Sequence, residues 1–383
     1  MPNQIELVIL GSTGSIGVQA LEIVEANPDK FRVIALAAGS SNLQLLADQA
    51  KRFSVPVVGT TGDRDTLTRM LGKTQVIDGG KSASEIAAIA CDIVLNGISG
   101  SIGLGPTLAA LSVGNKVALA NKESLVAGGD LVMAFGRDRI IPVDSEHSAL
   151  YQCFLSGKAS EVKQVILTAS GGPFRNRNDL SDVTLEEALA HPTWNMGPVV
   201  TINSATLVNK GLEIIEAHYL FDIPYSKIEA VIHPQSMIHS MVEFNDGSVI
   251  AQASPPSMKL PIALALSWPE RTAGAISPID WSTAHTWNFA PIDHARFPAI
   301  DLARRCGEIG GAMPAIFNAA NEEAVTAFLQ GEIKFTEIIE IVDAVLQHLA
   351  STAPTTLGDI ADVSAIEDDA RASANKNISM RGK

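Results

Sequence analysis

Ile5-Glu6-Leu7-Val8-Ile9-Leu10-Gly11-Ser12-Thr13-Gly14-Ser15-Ile16-Gly17 is the stretch that decides how the first third of this chain folds. The run Ile5–Leu10 is apolar apart from Glu6 and has the length of a buried strand. The three glycines after it open a helical pattern over Ser15–Asn27, closed by Asn27-Pro28. Glycines let the backbone turn tightly and approach a pyrophosphate, and a helix start offers unpaired N–H groups and positive dipole. The spacing is G-x-x-G-x-x-G rather than G-x-G-x-x-G, so the turn alone leaves two readings open: a dinucleotide site, or a tight strand-to-helix turn without a ligand.

Outward from that turn, short apolar runs alternate with helical patterns. Strands are expected at Phe31–Ala37, Val55–Val58, Ile93–Leu95, Lys116–Ala120 and Ile140–Val143, and helices at Asn42–Phe53, Asp63–Leu71 and Glu123–Phe135. Repeated β-α-β units require a parallel sheet covered on both faces, with ligands bound beyond the carboxyl ends of its strands. The second strand runs into Ala37-Ala38-Gly39-Ser40-Ser41-Asn42, without the Asp or Glu that an NAD site places against the ribose hydroxyls. An acid would repel a 2′-phosphate, so its absence tilts the reading towards NADPH, although no Arg or Lys stands in the turn either.

Between about residues 146 and 290 the pattern changes to a mixed α+β one. Gln164–Leu167, Val199–Ile202, Ala230–Ile232, Met241–Phe244 and Ser248–Gln252 read as strands, and Asp246-Gly247 as a hairpin turn. Residues 269–293 carry Pro269, Pro278 and Pro291 with little periodicity and read as a linker. Beyond Asp293 the chain reads as helical, with Phe335–Leu349 its clearest amphipathic stretch.

The chain has 383 residues, 46% hydrophobic and 18% charged, which suits two or three packed domains and excludes wholesale disorder. Its 42 Asp and Glu against 28 Lys and Arg give a net charge of -14, which disfavours a general nucleic-acid binder. The longest uncharged run, Ile93–Asn115, holds too many Gly, Asn and Ser, and a Pro, to read as a spanning helix. No basic, cleavable leader is visible, so a cytoplasmic protein with no membrane partner is expected. Cys91, Cys153 and Cys306 are odd in number and without C-x-x-C spacing, which argues against a disulfide framework or a thiolate metal site.

Five clusters carry polar chemistry. Ile140–Val143 runs into Asp144-Ser145-Glu146-His147; in an extended backbone Asp144 and Glu146 would project on one side and could share a hard cation, Mg²⁺ or Mn²⁺. The competing reading is a solvated acidic turn capping the helix expected at Ser148–Leu155. Ala120-Asn121-Lys122-Glu123-Ser124 ends another strand, where Lys122 could polarise a substrate oxygen, or Asn121 could simply cap a helix. Ser170-Gly171-Gly172-Pro173 has backbone N–H groups free for an anion. Ser204 through Glu213 combines hydroxyl, amide and ammonium donors with a carboxylate, Asn209 and Glu213 falling on one helical face; a capped helix with ordinary surface charges would look the same. His191-Pro192-Thr193-Trp194-Asn195-Met196-Gly197-Pro198 suits a mobile lid over a polar substrate, or a core-anchored surface loop. His233 and His239 have no metal-ligand spacing.

These clusters in this order closely resemble the 1-deoxy-D-xylulose 5-phosphate reductoisomerase family, and the resemblance covers essentially the whole chain. Gly11–Gly17, Ala120–Ser124, Pro142–His147, Ser170–Phe174, His191–Gly197 and Ser204–Glu213 carry it, with Ile232–Ser240 and Asn318–Glu322 in addition. The resemblance implies an NADPH- and divalent-metal-dependent rearrangement and reduction of 1-deoxy-D-xylulose 5-phosphate to 2-C-methyl-D-erythritol 4-phosphate, a step in isoprenoid precursor synthesis. It implies an α/β Rossmann-like dinucleotide-binding domain over 1–145 and an α+β catalytic and dimerisation domain over 146–268. A linker over 269–293 and an all-α C-terminal helical bundle over 294–383 would follow, in a homodimer.

By the same resemblance Asp144, Glu146 and Glu213 match the metal ligands, for Mg²⁺ or Mn²⁺ with Co²⁺ as a third candidate. Ser145, Lys122 and Asn209 match residues at the carbonyl and hydroxyl end of the substrate. Ser170, Ser204, Asn209 and Lys210 match its phosphate site, assisted by His191, and Trp194 matches the indole of a closing loop. Thr13, Gly14, Ser15, Ile16, Gly39, Asn121, Glu123 and Gly197 match cofactor contacts. Some members have Lys-Asn after the glycine equivalent to Gly39; here Ser40-Ser41-Asn42 is one residue longer, Asn42 aligns with the asparagine, and no residue takes the lysine's place. The runners-up are a plain NADP-dependent dehydrogenase and a catalytically silent NADPH sensor; a semialdehyde dehydrogenase would need a cysteine nucleophile, and none of the three has an adjacent base.

Overall fold

A computed structural model describes residues 4–194 and 196–381. The chain forms two compact units: one of 1–124, 131–148 and 257–277, the other of 125–130, 149–256 and 278–383.

The first unit is built on seven parallel strands: β1 (Ile5–Leu10), β2 (Phe31–Ala38), β3 (Val57–Thr60), β4 (Gln75–Asp78), β5 (Ile93–Asn96), β6 (Lys116–Leu119) and β7 (Ile140–Pro142). Their order is β4-β3-β2-β1-β5-β6-β7, so the strand order reverses beside β1, between β2 and β5. At such a switch point the loops leave in opposite directions and open a crevice at the carboxyl ends of the strands. Leu7–Leu10 and Val94–Leu95 are wholly buried, as expected of strands covered on both faces. The expected strand at Val55–Val58 starts two residues later, and β4 was not anticipated: Val76 is its one buried apolar residue, too little to show as a pattern.

The second unit carries a mixed sheet of β8 (Val162–Ala169), β9 (Ile228–Ile232), β10 (Ile238–Phe244), β11 (Val249–Ala253) and β12 (Ala290–Pro291), in the order β11-β10-β8-β9-β12. β8 and β9 are parallel and the other pairs antiparallel. The strand expected at Val199–Ile202 is instead part of the helix Pro198–Ala205. Its β-branched run suggested extended backbone, but Pro198 at the first helical position pre-sets a helical φ, and Thr201, Ile202 and Ala205 bury one helical face.

The C-terminal part is helical: Ala299–Ile309, Met313–Leu329, Glu337–Leu349 and Ile360–Arg381. Met313–Leu329 is apolar and buried nearly all round because the other three pack on it. Glu337–Leu349 buries Ile338, Ile341, Val342, Val345 and Leu346, the stripe its periodicity predicts. The fold class is the expected one: an α/β Rossmann-like sheet, a mixed α+β sheet and an all-α bundle. Residues 269–289 contain no helix or strand, and among the described residues no helix is long and apolar enough to cross a membrane.

Candidate active site

In the first unit the glycine turn leaves β1 at the switch point. Gly11 has φ +74, and a Cβ there would stand 2.7 Å from the Gly97 carbonyl oxygen; a Cβ on Gly17 would stand 2.4 Å from that of Gly11. Both glycines are therefore demanded by close backbone approach. Gly11 and Ser12 donate their backbone N–H groups to the Ala37 carbonyl at 2.8 and 3.0 Å, pinning the turn against β2. Gly14 precedes the helix Ser15–Ala26 and is exposed, as is Ser15, with Thr13 and Ile16 half-buried beside them. No side chain caps that helix, so its first N–H groups stay available. The tight glycine turn, the uncapped helix start and the switch point together fit a dinucleotide pyrophosphate.

Gly39 and Asn42 lie at the carboxyl end of β2, both exposed; Asn42 caps the helix Leu43–Arg52 by accepting from Leu45 N–H at 3.0 Å. Asn121 follows β6 and is buried. Its side chain donates to the Ile98 and Gly100 carbonyls at 2.6 and 2.8 Å and to Glu123 at 3.0 Å, and accepts from Ser124 N–H at 2.8 Å. The capping reading of Asn121 is thus realised, and the same bonds fasten the loop after β5 beneath the crevice.

Asp144 and Glu146 do not share an extended segment. Asp144 ends the β7 segment, while Glu146 is already in the helix Ser145–Cys153, which begins three residues before its expected start. Asp144 Oδ1 accepts Glu146 N–H at 3.0 Å, so the turn caps a helix and still brings carboxylate oxygens of the two residues within 4.8 Å of one another. Ser145 donates to the Glu146 carboxylate. Lys122 donates to Asp144, both side chains being largely buried, and His147 Nδ1 lies 3.4 Å from Asp144 Oδ1. Burial by itself would raise the Asp144 pKa. The Lys122 ammonium and the hydrogen bond and charge of His147 outweigh it and hold the carboxyl well below the usual range. An ionised, oxygen-only donor set without thiolate fits a hard divalent cation.

In the second unit Ser170, His191 and Ser204 come together. His191 Nε2 lies 3.0 Å from Ser170 Oγ and 3.1 Å from Ser204 Oγ. The loop that permits this is Gly171-Gly172, with φ +82 and +61; a Cβ on Gly172 would stand 2.9 Å from the Ser204 carbonyl oxygen. Gly172 N–H donates to Ser170 Oγ at 3.2 Å. His191 Nδ1 accepts two backbone N–H groups, from Thr193 at 3.1 Å and Trp194 at 2.8 Å. That nitrogen therefore carries a lone pair, and the ring proton sits on Nε2, aimed at the two hydroxyls. Burial, followed by the charge of Arg175, pushes the imidazole below its ordinary pKa.

Leu207 joins the helices Pro198–Ala205 and Val208–Phe221 with φ +61, a left-handed conformation that costs a branched residue about 1–2 kcal/mol. It turns the chain so that Asn209, Lys210 and Glu213 follow within one helical turn. Asn209 and Lys210 both donate to the Glu213 carboxylate, with Lys210 3% and Glu213 1% exposed. A charge so deeply buried stays ionised only when paired. Trp194 is half-buried, edge-on to the His239 ring at 6.2 Å. Asn195 lies outside the described residues. Gly197 caps Pro198–Ala205, is exposed, and has open space where a Cβ would stand, so no steric reason requires glycine there.

Arg175 was not singled out from the sequence. Its Nη1 donates to the Gly172 carbonyl at 3.2 Å and its charge acts on His191; the signal was a cation directly after the Ser170–Phe174 cluster. Asn203 was missed as well: Asn321 donates to its Oδ1 at 3.0 Å, tying the helix before Leu207 to Met313–Leu329.

Three family models match successive parts of the chain. Residues 7–129 match 1-deoxy-D-xylulose 5-phosphate reductoisomerase, 140–221 its C-terminal domain, and 253–373 the DXP reductoisomerase C-terminal domain. The 1-deoxy-D-xylulose 5-phosphate reductoisomerase of Pseudarthrobacter chlorophenolicus is 54% identical over 98% of both chains. That of Streptomyces coelicolor is 52% identical over 97% of this chain and 92% of its own. Among solved structures, the reductoisomerase of Zymomonas mobilis in complex with NADPH superposes with a TM-score of 0.92 at 41% identity, covering 98% of this chain and 99% of the other. A DOX-P reductoisomerase in complex with NADPH, fosmidomycin and magnesium gives 0.93 at 37% identity, covering 99% of each.

Proposed function

This chain belongs to the 1-deoxy-D-xylulose 5-phosphate reductoisomerase family, and from that premise we propose how its own residues divide the work. The protein is an NADPH- and divalent-metal-dependent enzyme that rearranges and reduces 1-deoxy-D-xylulose 5-phosphate to 2-C-methyl-D-erythritol 4-phosphate in isoprenoid precursor synthesis. The full-length match at 54% identity carries this conclusion.

The turn Gly11–Gly17 and the residues Gly39, Asn42, Asn121, Glu123 and Gly197 hold the dinucleotide, residues 1–145 forming the NADPH domain. Asp144, Glu146 and Glu213 hold the cation. When bound, the cation supplies Lewis acidity towards the substrate's oxygens and NADPH supplies the hydride. His191 donates Nε2–H to a phosphate oxygen in place of a serine hydroxyl, with Ser170, Ser204, Asn209 and Lys210 as further donors. Lys122 polarises the substrate carbonyl and Ser145 orients its hydroxyl end. Phosphate binding keeps the carbon fragments together while a C–C bond breaks and re-forms, so the second step stays effectively intramolecular. Trp194 covers the reacting end and excludes water. Residues 146–268 form the catalytic and dimerisation domain of a cytoplasmic homodimer, 269–293 link it to the bundle, and 294–383 complete the bundle.

The test follows NADPH absorbance in purified protein with 1-deoxy-D-xylulose 5-phosphate, with Mg²⁺ or Mn²⁺ and again after EDTA. Metal-dependent oxidation is expected. Oxidation that survives thorough metal removal would overturn the metal-assisted rearrangement and restore a plain dehydrogenase.

A further inference from the structure

The turn after β2, Gly39-Ser40-Ser41-Asn42, carries neither acid nor cation, although this is where a dinucleotide sheet reads the adenosine ribose. A positive partner for a 2′-phosphate has to come from a neighbouring turn on the same edge of the sheet. The carboxyl ends of β2, β3 and β4 lie side by side there, Ala38 paired with Thr60 and Thr60 with Asp78. Most lysines and arginines between Lys30 and Lys81 start a strand or end a helix and so belong to the opposite edge: Lys51 and Arg52 close Leu43–Arg52, and Arg69 closes Arg64–Leu71. Arg64 and Lys81 remain, each at the start of the helix that follows its strand.

The β3 turn, which leads into Arg64, is the one that packs against the β2 turn. Thr60 Oγ1 lies 3.5 Å from the Gly39 carbonyl and accepts Gly62 N–H at 2.9 Å. A Cβ on Gly62 would stand 3.1 Å from Ser40 Cα, and one on Gly39 would stand 3.8 Å from Thr61 Oγ1. Glycine at 62 thus lets the β3 turn lie directly against Ser40, with Arg64 two residues on. Three acids share the neighbourhood: Asp65 is exposed in the first turn of the helix, and the other two are engaged. Asp63 accepts Thr66 N–H at 2.9 Å as a helix cap, and Asp78 accepts Arg64 Nη1 at 3.1 Å, which steadies the guanidinium while leaving its other donors open.

We propose that Arg64, on the β3 turn, selects NADPH over NADH in this chain by pairing with the 2′-phosphate between the hydroxyls of Ser40, Ser41 and Thr61. The chain has moved the cation one strand along the sheet, from the turn after β2 to the turn after β3. The guanidinium offers two parallel donors to one phosphate, and the hydroxyls supply neutral donors on the other side. The proposal rests on the NADPH reading of this sheet and deepens it.

Equilibrium titrations of the wild type, Arg64→Gln, Lys81→Ala and Ser40→Asp test it, with NADPH and NADH followed by nicotinamide fluorescence and 2′,5′-ADP and 5′-AMP by calorimetry. Losing a charge-assisted pair should weaken NADPH and 2′,5′-ADP by about tenfold or more in Arg64→Gln, with NADH and 5′-AMP unchanged. Lys81→Ala should match the wild type, and Ser40→Asp should weaken NADPH selectively by repulsion. Equal weakening of both dinucleotides in Arg64→Gln, no weakening, or a selective loss confined to Lys81→Ala would each overturn the assignment. A folded wild type that binds neither dinucleotide would remove the NADPH reading itself, and this assignment with it.

Discussion

His191 accepts the Trp194 backbone N–H through Nδ1 at 2.8 Å, so the loop that carries the indole also fixes which end of the imidazole donates. With Thr193 N–H on the same nitrogen, protonating Nδ1 would cost two hydrogen bonds. The ring therefore works as a neutral Nε2–H donor to Ser170, Ser204 and, by the reading above, a phosphate oxygen.

His191→Ala is expected to raise KM for the sugar phosphate by about tenfold while changing kcat less, since a donor to a non-reacting group contributes mainly uniform binding. The histidine resonances should show a midpoint for His191 below 6.5, the direction its burial and Arg175 impose. The stability sign follows. The folded value lies below the unfolded one, so the unfolded chain binds more protons as pH falls through 6.5. This residue's contribution is intact above that pH and declines below it. A midpoint above 6.5, or an unchanged KM, would dismiss the donor assignment.

Glu213→Gln should reduce turnover by about a thousandfold or more while NADPH binding stays measurable, because the carboxylate charge is lost and the residues of the dinucleotide turn are unchanged. Glutamine is the informative choice. Lys210 is almost wholly buried and needs an oxygen partner; the glutamine carbonyl keeps one, whereas Glu213→Ala would leave a buried charge unpaired at a cost of about 3–5 kcal/mol. Thermal melts should separate the two variants. Full activity in Glu213→Gln, or EDTA-resistant turnover in the wild type, would sink the metal assignment.

Gly172 and Gly247 make a paired test of close approach. Both have positive φ, +61 and +85, but a Cβ at 172 meets the Ser204 carbonyl oxygen at 2.9 Å, and at 247 it meets nothing within 4 Å. Gly247→Ala should cost only the left-handed backbone term, about 1–2 kcal/mol. Gly172→Ala should cost more and also raise KM, because relieving the contact moves Ser170 away from Ser204. Equal melting shifts and an unchanged KM in both variants would show that the Ser170 loop has slack.

The legibility of these features in the sequence followed from how local their causes are. The glycine turn and β1 were readable because tight turning and burial act within a dozen residues, and the Ile338–Leu346 stripe because one helix face repeats locally. Val199–Ile202 was misread since β-branched residues carry a strand signal, while the deciding cue, Pro198 at a helix start, is a single residue. Asp144 and Glu146 do adjoin one another, but not on the extended backbone expected of them: the helix begins at Ser145, earlier than its apolar pattern does. The meeting of Ser170, His191 and Ser204 could not be read from spacing, because it depends on two consecutive positive-φ glycines and on Leu207 turning one helix into the next. Only the resemblance to a family grouped them beforehand.

The cysteines separate this enzyme from dehydrogenases that use a thiolate nucleophile. Burial raises Cys91 and Cys306 to about 12 and Cys153 to about 11, with Asp92 adding to the effect at Cys91. All three are free thiols, and a protonated thiol is a poor nucleophile. In the native enzyme a disulfide-exchange reagent at about pH 8 should label buried Cys153 and Cys306 only as fast as the chain opens, and half-buried Cys91 slowly because its thiol stays protonated; alkylation under native conditions should leave turnover intact. Denaturant should release all three at once. The same values give a stability limit at the alkaline side. Each folded value exceeds the unfolded 9.0, so the unfolded chain loses its thiol protons first. Stability is unaffected below about pH 9 and falls as pH rises from there towards 11 and 12. Urea titrations on both sides of pH 9, for the wild type and a Cys153→Ala variant, should show a smaller alkaline decline in the variant. Rapid native labelling coupled to loss of activity would instead mark one thiol as ionised and catalytic, and would reopen the plain-dehydrogenase reading.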